Sequence, residues 1–171
     1  MTAAGRLAGA LLLASALAGC MPATTPAPTP IASPSASVEA TAAALRDALA
    51  GDGFTLEPPG RDYRPAEPEP VQALPRAAFR VAGAAPGLGW VVIYDAGSPA
   101  AAAAAGADFG DYLAGGFGRT NYPIDARFHL ARAGSALIFG WWSGQSSRAA
   151  DEAGRAFELV ETVGQPLETA P

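Results

Sequence analysis

The sequence predicts an α+β fold: an antiparallel sheet of about four to five strands with helices packed on one face. Three observations predict it. Apolar and polar residues alternate over Ala77–Ala82 and again over Ile124–Ala131, the two-residue period of a half-buried strand. Each run is followed by a glycine-containing turn and a second, aromatic-rich apolar run, Leu88–Asp95 and Ser135–Trp142. Each pair then runs into a serine and a helical pattern. The order strand, turn, strand, capped helix therefore occurs twice, over Ala77–Ala114 and Ala126–Val163, with Ala78-Phe79-Arg80-Val81 aligned on Arg127-Phe128-His129-Leu130. It reads as an internal ββα–ββα duplication preceded by a helix, and two such units side by side make one sheet.

The elements follow in chain order. Ser37 caps a first helix running to about Ala50, with Val38, Ala42, Leu45 and Leu49 on one stripe and Gly51 or Gly53 ending it. Phe54–Glu57 is a short strand. Pro58–Arg76 holds six prolines together with Arg61-Asp-Tyr-Arg64, a long irregular stretch that covers a sheet edge or a site. Ala77–Ala82 puts Phe79 and Val81 on one face and Arg80 on the other, Gly83–Gly87 turns, and Leu88–Asp95 is a strongly apolar strand. Ser98-Pro99 starts a helix by both cap and first-turn proline; it continues to about Ala114, buries Ala102, Phe109 and Leu113, and ends at Gly115-Gly116-Phe117-Gly118. Ile124–Ala131 and Ser135–Trp142 form a hairpin around Ala133-Gly134. Ser146 or Ser147 caps a last helix to about Val163, with Ala150, Ala153, Phe157 and Val160 inward.

Composition excludes several chemistries. All eleven basic residues are arginine, so a phosphate-binding lysine, a Schiff-base lysine and a Ser-Lys dyad are ruled out. One histidine cannot build a histidine-rich metal site, and one cysteine cannot form a disulfide within the chain, so no metal and no cofactor are expected. A net charge of −5 argues against nucleic acid and against a polybasic grip on anionic lipid.

The first twenty residues set the address. Arg6 precedes Leu7–Ala18, a run of leucines with Ala, Gly and Ser that is too short to cross a bilayer, which takes roughly twenty residues. The run ends in Leu17-Ala18-Gly19-Cys20, which resembles the lipobox of bacterial lipoproteins. That resemblance implies a diacylglyceryl thioether on Cys20, cleavage between Gly19 and Cys20, and a membrane partner held through the lipid. Met21 rather than Asp after the cysteine implies, in a double-membraned cell, release toward the outer membrane. Residues 1–19 are then a leader and 20–37 a Pro/Thr/Ser-rich tether, which carries no charge and no aromatic residue and cannot fold. Fully extended, a tether of this kind reaches roughly 50 Å. Residues 38–165 form a single α+β domain and 166–171 a tail. The layout of the domain resembles that of uncharacterised small α+β lipoproteins, a likeness that implies no activity.

Within the domain, Trp90, Tyr94 and Trp142 are expected to share the outer sheet face with Arg80, Arg127 and His129, an aromatic patch edged by cations for an envelope protein, a glycan or an anionic ligand. Adjacent Trp141 and Trp142 point to opposite faces, one of them into the core. The Pro58–Arg76 stretch equally well covers the patch and turns it into a second small core. Gly140-Trp141-Trp142-Ser143-Gly144 is not a nucleophile elbow, since its serine falls one place late. The expected function is that of a non-catalytic binding or scaffold module of the cell envelope. The alternatives are a hydrolase using His129 with a serine or carboxylate, and a structural lipoprotein that dimerises through the sheet face.

Overall fold

The computed structural model describes residues 35–60, 63, 67–85, 87–144 and 149–167; the leader, Cys20 and the tether lie outside the described residues. Eleven elements follow in order: α1 (Ala36–Ala50), β1 (Thr55–Glu57), α2 (Glu69–Gln72), β2 (Arg76–Ala82), β3 (Gly89–Asp95), α3 (Pro99–Ala114), α4 (Gly116–Arg119), β4 (Arg127–Ala133), β5 (Ala136–Trp142), α5 (Ala150–Val160) and β6 (Gln165–Pro166). The fold is α+β. Its sheet has six strands in the order β1-β2-β3-β5-β4-β6, every neighbouring pair antiparallel.

Helices cover both faces of this sheet rather than one. Val81, Val91, Ile93 and Ile138 pack under α1 and α5 with Leu45, Leu49, Ala153, Phe157 and Val160. Val92, Tyr94, Leu137 and Phe139 pack on the opposite face with Phe109 and Leu113 of α3 and Val71 of α2. The cause is in the central strands: β3 is buried from Gly89 to Tyr94 and β5 from Ala136 to Gly140, on both sides of the pleat. Strands apolar all round need cover on each side. The ββα order does recur, but α3 and α5 lie on opposite faces. A rotation normal to the sheet, which would relate two equivalent units, keeps both helices on one face.

Smaller differences concern ends. The side chain that caps α1 is Ser35, accepting from Val38 N–H at 3.3 Å, while Ser37 lies in the first turn with its Oγ 2.9 Å from Ser135 Oγ. This contact places the start of the domain beside the β4–β5 turn. The helix predicted from Ser98 is capped as expected, Oγ accepting from Ala101 N–H at 3.1 Å. Ser146 and Ser147 lie outside the described residues, and α5 begins after Ala149 with no side-chain cap. Beyond α5, Gln165 and Pro166 add β6 to β4, and Leu167 N–H donates to Leu130 O at 2.9 Å, so the sheet uses residues assigned above to the tail.

Candidate functional site

Register decides which of the expected residues meet. Arg80 pairs with Trp90 and Trp90 with Trp141, so these side chains stand in a row on the α3 face, and Trp141 pairs onward with Phe128. Tyr94 lies on the same face, four residues along β3. Arg127 instead pairs with Trp142, and His129 with Gly140, on the α1/α5 face. The six residues expected to form one patch are therefore divided: Arg80, Trp90 and Tyr94 on one side of the sheet, Arg127, His129 and Trp142 on the other. Trp141 takes the place beside Trp90 that was expected for Trp142, which stacks on Phe157 of α5 at 6.0 Å between ring centroids.

The row is a run of rings closed at each end by a guanidinium. Arg80 lies 4.6 Å over the Trp90 ring and Arg119 4.7 Å over Phe128. Tyr63, from the proline-rich stretch, covers Trp90 at 4.9 Å, and Tyr122 meets Phe128 at 4.9 Å and Trp141 at 5.5 Å. Stacking orients each guanidinium and keeps its N–H edge available to in-plane acceptors. The proline-rich stretch thus covers the aromatic face and makes it a second core.

That core contains polar groups. Glu67 is 3% exposed; its Oε1 accepts from the Tyr94 hydroxyl at 2.5 Å and its Oε2 is paired with Arg76 Nη1. Burial pushes the Glu67 carboxyl above the usual carboxylate range, and the Tyr94 hydrogen bond and the Arg76 charge offset only part of this. The phenols of Tyr63, Tyr94 and Tyr122 are all raised, chiefly by burial. The Tyr63 hydroxyl and Trp141 Nε1 are buried without completing a hydrogen bond of normal geometry.

At one end of the sheet the row opens into a notch of about 160 Å³, walled by Trp90, Trp141, Trp142, Arg80, Ser143 and the backbone of Gly87–Gly89. Gly87 has φ +71°, a backbone conformation that strains any side chain, and a Cβ there would displace the Arg80 guanidinium from the notch wall. Ser143 is buried and its Oγ donates to Asp125 Oδ1 at 2.6 Å. A larger open recess of about 460 Å³ lies near Asp52, Asp151, Glu152 and Arg155. Its charges have structural partners: Arg155 pairs with Asp52 at 2.9 Å, and Glu152 accepts from Ala84 N–H at 2.6 Å, holding the β2–β3 turn. Among the described residues no group of three or more His, Cys, Asp or Glu is placed to hold a metal ion.

His129 is half-buried beneath α5. Burial pulls its imidazole below the usual histidine range, with Glu161 opposing, and its Nε2 has no hydrogen-bond partner. Among the described residues no serine or carboxylate is hydrogen-bonded to that nitrogen.

Tyr63, Glu67, Tyr122 and Trp141 were not among the expected site residues. Alternation along β4 and β5 assigns Trp141 to a face, but pairing it with Trp90 requires the register. Tyr63 and Glu67 sit in an irregular stretch that has no period to read. Compared with protein families, curated proteins and solved structures, the chain matches none.

Proposed function

We propose that this chain is a lipid-anchored, extracytoplasmic binding module of the cell envelope, attached to a membrane through Cys20 and taking its ligand, an envelope glycan or protein, at the tryptophan notch. In a double-membraned cell the attachment is to the outer membrane. The observation that carries the reading is the aromatic row of Trp90 and Trp141 surfacing at the end of the sheet as a notch that Trp142 also borders. A volume of about 160 Å³ is below the several hundred Å³ of a drug-sized pocket, and suits one ring or one side chain of a larger partner. Buried polar groups beside the row, Tyr63 and Trp141, favour recognition over simple packing. Among the described residues no helix is long and apolar enough to span a bilayer, so the reading of membrane attachment rests on the lipobox-like sequence.

Two measurements test it. Fatty-acid labelling in cells is expected to mark the wild type and not Cys20→Ser. The immobilised chain is expected to retain envelope glycan or protein, with retention lost in Trp142→Ala and reduced in Trp141→Phe, which keeps an aromatic ring but is smaller and lacks the N–H. Equal retention by folded variants and wild type rejects the notch as the binding site.

A further inference from the structure

We propose that the knob running from Gly116 to Ile124 makes a second, non-covalent contact with the lipid surface. The proposal rests on the lipidated Cys20 only for the presence of that surface nearby. Phe117 and Ile124 are 80% and 85% exposed, the large apolar side chains left in solvent among the described residues. The backbone that displays them is tied down. Thr120 Oγ1 and Asn121 Nδ2 donate to Phe117 O at 2.8 and 2.9 Å, and Arg119 Nη2 donates to Ile124 O at 3.2 Å. Tyr122 anchors the knob in the second core, and at Gly118 a Cβ would overlap the Tyr112 carbonyl. Two apolar side chains on a braced loop form a built patch.

The surroundings fit a headgroup region. Arg119 stacks on Phe128 and donates to Ile124 O, and Asp125, next to Ile124, is bonded to Ser143 at the end of β5, where the half-buried Trp141 meets Tyr122 of the knob. Apolar tips beside a guanidinium group, with an indole behind them, suit an interfacial surface: the tips enter the acyl boundary and the cation reaches phosphate. The carboxylates of Asp108, Asp111 and Asp125 oppose anionic lipid, so apolar insertion and not charge drives the contact.

Chain length favours lipid over a protein socket. The domain begins beside Ser135, and the knob follows the far end of α3, whose sixteen residues span about 24 Å. The fourteen residues between Cys20 and the helix cap Ser35 reach roughly 43 Å, enough to bring the knob back to the bilayer that holds the anchor. Anchoring makes this contact intramolecular, at an effective concentration on the order of millimolar, so a weak insertion is populated.

The test uses the chain from residue 20 with Cys20→Ser, which retains the folded unit and has neither lipid nor leader. Cosedimentation with phosphatidylethanolamine/phosphatidylglycerol vesicles is expected to show partitioning that falls at least about fivefold in the Phe117→Ser/Ile124→Ser double variant and changes less than about twofold in high salt. Equal partitioning of the two proteins, no partitioning of either, or loss in high salt alone overturns the proposal. A photo-crosslinker at position 117 that captures a protein in cells while vesicles bind nothing overturns it in favour of a protein partner. Failure of the anchor itself appears separately, as absence of fatty acid on Cys20 with vesicle partitioning unchanged.

Discussion

On the α1/α5 face the sheet presents Val81, Val91, Ile93 and Ile138 to Leu45, Leu49, Ala153 and Val160; on the α3 face it presents Trp90, Tyr94, Phe139 and Trp141 to Tyr63, Phe109 and Tyr122. The first face is mainly aliphatic, with the rings of Phe54, Phe157 and Trp142 among it and one imidazole at its margin. The second is aromatic and encloses a carboxyl, three phenols and an indole N–H. An aliphatic core holds a fold and leaves nothing to recognise. Buried polar aromatics demand defined partners, so they fix one arrangement and accept one complement. The contrast teaches that two cores sharing a single sheet can divide stability from recognition.

The largest expected effect falls on the aliphatic side. Phe157, 1% exposed, lies against Trp142 and over Gly140; Phe157→Ala is expected to cost about 3–5 kcal/mol in chemical denaturation. A cost below about 1 kcal/mol would place the main core elsewhere. Next comes the polar side, where Glu67→Leu strips the Tyr94 hydroxyl of its acceptor and is expected to cost about 1–3 kcal/mol. Adding Tyr94→Phe should recover part of that loss, since both partners are then apolar. A double-mutant cycle with no coupling would break the contrast between the faces.

Acidity separates the two sides by sign. His129 has its folded value lowered, so its contribution is complete above the ordinary histidine range, near 6.5, and is lost as pH falls through the folded value. Glu67 has its folded value raised, so its contribution is complete below the ordinary glutamate range, about 4.3, and is lost as pH rises through the folded value. Stability measured from pH 4 to pH 8 should therefore rise less with pH in His129→Leu than in wild type, and more steeply in Glu67→Gln. Slopes that match wild type in both variants would show that neither group titrates differently in the folded chain. The smallest effect is expected at the knob: Phe117→Ser should alter stability by no more than about 0.5 kcal/mol, because its ring packs on nothing when exposed to this degree.

Much of this fold was legible. The strand pairs, the Ser98 cap, the inward stripe of α1 and three of the four residues expected inward on α5, Ala153, Phe157 and Val160 but not the exposed Ala150, follow from period and cap chemistry alone. The second helical layer was written in β3 and β5 as well, since runs such as Val91-Val92-Ile93-Tyr94 have no polar side to give to solvent. The site was less legible, for a physical reason. Whether Trp90 meets Trp141 or Trp142 depends on a one-residue choice of register between two apolar strands, and a slip of one exchanges the faces. Glu67 has no local signal at all, because its partners Tyr94 and Arg76 are brought to it by the sheet.

Under the proposed membrane attachment, the margins of the sheet bear on life at high density. β1 is three residues long and is followed by Pro58-Pro59, while β6 is two residues long and one of them, Pro166, has no N–H to offer. Molecules confined to two dimensions collide far more often than molecules in bulk, and an open strand would zip them into ribbons. With both borders this short and interrupted by imino acids, neighbours can crowd side by side without adding strands to one another.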